Sequence, residues 1–318
     1  MSAVDPTPSS LPSAQTRLLE EFARVYLKEQ RSERRWRWFW RLVWLMVAAA
    51  LVYNFTANTQ SGSPPLGAHT ALVEIRGEIS TDALANADNL ISALRSAFED
   101  KGAKAVVLRV NSPGGSPVQA GLVADEILRL KALHGKKVYA VCEEMCASAA
   151  YYIAATADDI HVDKASVVGS IGVLMDGFGF VGLMDKLGVE RRLRTAGNNK
   201  GMLDPFSVRD PDQEAYAQAL LDRVHQQFVA VVREGRGKRL KEHDTVFSGL
   251  FWTGEQAVEL GLADKVGSLD GLARDVIKAE NIVDYTMKEN LAERLAKRFG
   301  AAIGGGAVQA LRSATALR

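Results

Sequence analysis

The chain has 318 residues, 47% of them hydrophobic, and a formal net charge of +1 at pH 7. That length suffices for one large domain or two small ones around a substantial core, and near-zero charge argues against a nucleic-acid binder, whose domain carries a strong basic excess. Only two cysteines occur, Cys142 and Cys146, which excludes a disulfide framework or a four-cysteine zinc site. We read the pair as two small buried thiols, with a Cys142–Cys146 bridge left open for an oxidising compartment.

Residues 1–35 form a tail in which Leu18, Leu19, Phe22, Val25 and Tyr26 recur at helical spacing between charges. This pattern predicts an amphipathic cytoplasmic helix along a membrane surface. Residues 36–57 read as one transmembrane helix. The uncharged run after Arg41 is short, but snorkelling of Arg37 and Arg41 extends it toward the roughly 20 residues a bilayer requires. Trp36, Trp38, Trp40 and Trp44 crowd one end and Tyr53 marks the other, as interfacial belts do. Six basic residues against two acidic ones lie between Lys28 and Arg41, and no Lys or Arg between Leu42 and Ile75. The positive-inside rule then leaves the N-terminus in the cytoplasm and the remainder outside it. The exit Phe55-Thr56-Ala57 lacks the small-x-small pattern of a cleavage site, so an uncleaved anchor is expected. Residues 58–68 are a Ser/Gly/Pro linker.

Residues 69–285 alternate strand and helix. Ala71–Ile75, Lys104–Val110, Lys137–Val141 and Asp159–Val162 are short β-branched runs, with helical stretches at Ala83–Glu99 and Val118–Leu133. The alternation predicts an α/β domain with a largely parallel sheet. A long helix follows from Pro211 to about Arg233. Phe251–Gly267 then reads as a short helix, a stop at Gly261 and a last strand at Ala263–Val266. Residues 286–318 read as a mobile tail.

Three segments carry chemistry. Asn111-Ser112-Pro113-Gly114-Gly115-Ser116 follows an apolar strand, where glycines let backbone N–H groups approach a ligand as an oxyanion hole requires; an ordinary turn has the same composition. Cys146-Ala147-Ser148-Ala149-Ala150-Tyr151-Tyr152 places a serine between a strand expected to end near Cys142 and an Ala-rich helix. Small neighbours suit a nucleophile elbow, but serine is also a favoured helix cap. Lys200, in Gly197-Asn198-Asn199-Lys200-Gly201, reads by itself as a solvated loop charge.

In combination these segments resemble the signal peptide peptidase family of the SppA type. Its members share a strand followed by Ser-Pro-Gly-Gly, an Ala-Ser-Gly-Gly-Tyr turn, a Val-x-Gly-Ser-Ile-Gly-Val segment and a later loop lysine. The matches here are Ser112–Gly115, Ala147–Tyr151, Val168–Val173 and Lys200, with Thr253–Ala257 and Gly267 beyond them. One departure is Ala149-Ala150 where the family has glycines. The resemblance implies a Clp protease/crotonase-like fold and a serine endopeptidase built on a Ser/Lys dyad: Ser148 as nucleophile, Lys200 as general base, Ser170 orienting the amine, Gly114 and Gly115 supplying oxyanion N–H groups. It further implies a homo-octamer whose dyad is completed between neighbouring subunits, peptide substrates in the form of remnant signal peptides, and a site in the bacterial inner membrane with the catalytic domain periplasmic. Neutral lysine at pH 7 costs about 4–5 kcal/mol in water, because its ordinary pKa is about 10.4, so burial must supply that difference.

A Clp-type protease would place its base histidine near Val173, where none stands, and His161 reads as structural. A crotonase-type acyl-CoA enzyme leaves the anchor and the Ser148–Lys200 pair unexplained. A non-enzymatic membrane scaffold remains the rival from another class. No metal, cofactor or nucleic acid is expected.

Overall fold

The computed structural model describes residues 36–51, 53 and 67–288. The expected tail 1–35, most of the linker and residues 289–318 lie outside them. Residues 36–51 and 53 are helical, with Trp36, Trp38, Phe39, Trp40 and Trp44 exposed. Among the described residues no helix is long and apolar enough to cross a membrane; positions 52 and 54–57 of the expected span are outside them.

In the folded domain, β1 (His69–Arg76), β2 (Ala103–Ser112) and β3 (Val138–Ala147) run parallel and carry most of the sheet. Two helices join them: α1 (Ala87–Glu99) and α2 (Pro117–His134). Each begins at a capping side chain. Asn86 accepts from the Asn89 N–H and Ser116 from the Gln119 N–H, with Pro117 in the first turn, where its missing N–H costs nothing. Gly135 ends α2 in the left-handed conformation at φ 64°. The buried stripes of α1 (Leu90, Leu94, Phe98) and α2 (Val123, Ile127, Leu130) meet Val73, Val106 and Leu108 on one sheet face. Asn86 explains why α1 starts later than Ala83, the expected boundary: residues 80–86 are spent in turns that bring the cap into place.

The expected end of the third strand near Cys142 is corrected by the structure. β3 continues to Ala147 through a jump in register: Val110 pairs with Cys142, but Ser112 pairs with Cys146. Three residues, Glu143 to Met145, thus oppose Asn111 alone, which bends the strand. The two glutamates look like a loop in sequence. In the fold Glu143 faces Arg76 at 3.5 Å and Arg109 at 3.6 Å, and Arg109 also pairs with Glu74. Below the jump β3 pairs with β4 (Asp159–Val162); above it, with β5 (Val167–Gly169). The sheet therefore splits at β3, one branch running to β7 (Lys265–Val266), the other to β6 (Phe251–Thr253), whose pairing with β5 is antiparallel. On the opposite edge β8 (Ile282–Asp284) pairs with β1, and Thr286 accepts the Glu74 N–H. The result is an α/β unit with a largely parallel sheet, which fits the Clp/crotonase-like architecture.

Between β3 and β4 lies α3 (Ala149–Ala154), buried on every side but that of Tyr152, with the Tyr151 hydroxyl donating to the Leu262 carbonyl at 2.7 Å. The loop segment holds α4 (Val181–Leu187), and α5 (Pro211–Arg236) then crosses the end of α3 so closely that a Cβ on Gly235 would lie 1.8 Å from the Ala155 carbonyl oxygen. A short helix, α6 (Gly254–Glu259), opens with a capping box of Thr253 and Gln256. Arg236, at the end of α5, is fully buried. It donates to the Gly261 carbonyl at 2.8 Å and to Asp264 at 2.9 Å, while Asp264 also accepts the Ile160 N–H at 2.7 Å. This guanidinium joins α5, α6 and β4. Asp264 keeps Arg239 at 3.1 Å and the Ile160 N–H when Arg236 is removed, but the Gly261 carbonyl loses its partner. Arg236→Met is therefore expected to destabilise the domain by about 1–3 kcal/mol, measured by urea unfolding; an unchanged urea midpoint would show that the link is dispensable.

Candidate active site

β3 and β5 end side by side. Their last paired residues are Ala147 and Gly169, and the next residue of each strand is a serine. Ser148 donates its N–H to the Gly169 carbonyl at 2.8 Å and its carbonyl accepts the Tyr152 N–H at 2.9 Å, so one residue carries both the last rung of a ladder and the first bond of a helix. That double duty sets φ at 53° and ψ at −127°, a region a side-chain-bearing residue occupies only under strain. The Ser148 side chain makes no capping hydrogen bond. The cap interpretation requires its oxygen to accept an N–H of the first turn, so the structure removes it. Ser170 is held the same way, with φ at 49° and its N–H donating to the Leu250 carbonyl at 2.8 Å.

Both serines line one cavity of about 630 Å³. Its walls include Pro117, Ala149, Tyr152, Val224, Phe228 and Phe251, and among the described residues no charged side chain lines it. Tyr152 packs on Phe228 with ring centroids 5.2 Å apart, and burial, with the Asp125 carboxylate adding to it, pushes its phenol pKa up. The phenol is therefore neutral.

The Gly114–Gly115 turn faces Ser148. A Cβ on Gly114 would lie 2.6 Å from the Ser148 Cβ and 2.9 Å from the Ala149 nitrogen, so only glycine lets the turn come this near. Gly115 forms a parallel bridge with Ile79: the Ile79 N–H donates to the Gly114 carbonyl and the Ser116 N–H to the Ile79 carbonyl, each at 2.8 Å. In such a bridge the N–H and C=O of the intervening residue point to the opposite side, and Gly115 lines the cavity. The two glycines expected to act alike differ here. The Gly114 N–H donates to Ser112 Oγ at 3.1 Å, whereas that of Gly115 has no partner among the described residues. Ala149, immediately after Ser148, is likewise free at its N–H. Sequence reading noted Ala149 as a departure from the family's glycine but did not place it among the site residues; its position just behind a candidate nucleophile was the available signal.

Lys200 is not brought to Ser148 within the chain. It is exposed on the loop between α4 and α5, its N–H donating to the Gly197 carbonyl at 3.1 Å, and the cavity lining does not include it. No histidine lines the cavity either. His225 bonds the Ile171 carbonyl through Nε2 at 3.1 Å, and His161 is buried in β4. Cys142 and Cys146 are buried free thiols in β3, the second two positions before Ser148, and burial raises the Cys146 pKa well above its ordinary value. Among the described residues no cluster of ligating side chains suits a metal ion.

Comparison with known proteins places this arrangement. The family model described as peptidase family S49 matches residues 131–282. A Synechocystis protein named as a candidate protease is 31% identical over 225 residues, and the match covers 67% of this chain and 79% of that protein. The chain belongs to peptidase family S49. A candidate signal peptide peptidase SppA from Enterococcus faecium is 32% identical over 204 residues, covering 64% of this chain and 59% of the relative. A Brucella melitensis protein named Na(+)/H(+) antiporter NhaA is 46% identical over 176 residues, which is 55% of this chain but 24% of that protein. This chain thus spans about a quarter of the Brucella relative, and the antiporter name belongs to that longer protein. Within family S49, the strained serine is the residue whose conformation most needs explaining.

Glycine relieves the strain at this φ and ψ. Ser148→Gly is therefore expected to raise domain stability by about 1 kcal/mol, the relief exceeding the entropic cost of glycine, as read from the thermal or urea midpoint. A destabilised variant would mean that the conformation stores no strain.

Proposed function

We propose that this chain is a membrane-anchored serine endopeptidase that cuts apolar peptides, remnant signal peptides in particular, with Ser148 as nucleophile and Lys200 of a neighbouring copy as general base. The observation that carries the reading is Ser148 itself: a strained, uncapped serine on a strand-to-helix turn, in an uncharged cavity, beside two unbonded N–H groups. Those groups, on Gly115 and Ala149, are placed to stabilise the oxyanion of a tetrahedral intermediate. Gly114 contributes by making room. Ser170, on the adjacent strand end, orients the incoming amine.

Lysine acts as a base only when desolvated. In a single chain Lys200 is exposed, and its loop segment also exposes Leu174, Phe178, Leu187, Leu193 and Val208. Apolar surface on this scale is characteristic of an interface, and covering it by a second copy desolvates the lysine in the same step. The assembly proposed is the homo-octamer, with each dyad shared between neighbours. The Trp-rich segment 36–57 anchors it in the bacterial inner membrane, N-terminus inside and catalytic domain outside. Anchoring there raises the effective concentration of peptides left in the bilayer. An uncharged cavity suits such substrates, which have few charges of their own.

Hydrolysis of an apolar fluorogenic peptide tests this. Ser148→Ala and Lys200→Ala are each expected to lower kcat by at least about 1,000-fold without dissociating the oligomer. Co-expressing the two variants is expected to restore measurable turnover, since some neighbouring pairs combine an intact serine with an intact lysine. Retained hydrolysis in Lys200→Ala overturns the dyad. No recovery in mixed oligomers overturns the sharing between chains.

A further inference from the structure

Ser112 ends β2 fully buried, and its hydroxyl has no part in the chemistry proposed above. It does not line the cavity, yet its Oγ accepts the Gly114 N–H at 3.1 Å. On the flank of the same turn, Ile79 accepts from the Ser116 N–H and donates to the Gly114 carbonyl, both at 2.8 Å. Both polar atoms of Gly114 are thus satisfied away from the cavity, one by a side chain and one by backbone. Gly115, one peptide on, is left with its N–H directed at the cavity. Gly114 and Gly115 sit at φ 103° and 146° without side chains to pack, so the turn is held by these bonds and by backbone contact.

We infer that Ser112 is a positioning residue for the oxyanion hole: by capturing the Gly114 N–H, its Oγ fixes the turn so that the Gly115 N–H alone, with that of Ala149, addresses the reacting carbonyl. This rests on the peptidase reading. Without the Ser112 oxygen a buried N–H loses its partner, an unfavourable state. Rotation of the Pro113–Gly114 peptide toward the cavity relieves it. By turning the chain at Gly114 it pulls against the Ile79 bond to the Gly114 carbonyl and displaces the Gly115 N–H, which shares that carbonyl's peptide, from its aim. Oxyanion donors act only at the right distance from the developing charge, so the effect falls on kcat rather than on substrate binding.

The test uses the full chain with Ser112→Ala, Ser112→Cys and, as a control, Leu72→Ala, a truncation in the small cluster of Leu72, Val107, Val141 and Leu272. Ser112→Ala is expected to lower kcat by about 10- to 100-fold with KM within about twofold of wild type. A peptide aldehyde, whose adduct places an oxyanion in the same hole, is expected to weaken in parallel. Ser112→Cys falls between, sulfur being a weak acceptor, and Leu72→Ala lowers the thermal midpoint while keeping kcat. Amide exchange supplies a readout independent of turnover: Gly114 loses protection in Ser112→Ala while amides in β1 and β2 keep theirs. An unchanged kcat, a loss that only tracks the folded fraction as in Leu72→Ala, or unchanged Gly114 protection overturns the inference. Turnover retained by Ser148→Ala instead overturns the peptidase reading, and the inference falls with it.

Discussion

Everything at the site depends on a strand becoming a helix within one residue. Ser148 closes the β3–β5 ladder through its N–H and opens α3 through its carbonyl, and no relaxed conformation serves both bonds. A strained, non-glycine residue in such a region costs about 1–3 kcal/mol. The offset lies directly downstream, where α3 buries Tyr151 and Ile153 completely, each contributing roughly 1.5–3 kcal/mol relative to exposure. The hydroxyl is thereby kept from the capping bond a serine normally takes and is presented to the cavity.

The same constraint governs the surroundings. Gly114 lies against the Ser148 Cβ because no larger residue fits, and that contact brings Gly115 and Ala149 to the two sides of the serine. The register jump in β3 belongs to the same geometry. By giving β3 extra length it separates the half that pairs with β4 from the half that pairs with β5, and only the second carries Ser170. Formal charge is kept outside: the ion pairs of Glu74, Arg76, Arg109 and Glu143 lie along the sheet and none lines the cavity. The described lining is largely apolar and hydroxyl-bearing, a setting that lowers the pKa of any ammonium brought into it.

Much of the scaffold was legible in the sequence. β1, β2, α1 and α2 are long enough for their periodicity to stand out, and Gly261 ends its helix as expected, at φ 74°. β7 falls within the strand expected at Ala263–Val266, but β5 and β6 have three residues each, too short for any periodicity, and the extension of β3 was hidden by two glutamates. At the site, residue types were legible and roles were not. A helix cap and an uncapped hydroxyl are both serine in the sequence; a dihedral angle and a missing bond separate them. Gly114 and Gly115 are equivalent letters in a turn motif, and only the bond to Ser112 distinguishes them. Lys200 stands out through the order of motifs alone; within the chain it is an exposed loop residue away from the cavity.

The two alanines after Ser148, the clearest departure from the family pattern, acquire a physical meaning in this setting. Both are in α3, where Ala149 is almost fully buried and Ala150 fully so. Glycine is about 1 kcal/mol worse than alanine in a helix interior, so a two-glycine version of this six-residue helix would be less able to hold a strained residue at its start. Alanine keeps the backbone N–H at position 149 while adding a methyl group to the cavity wall. The substitution strengthens the helix that maintains the serine's strain, at the cost of a slightly narrower cavity beside Ser148.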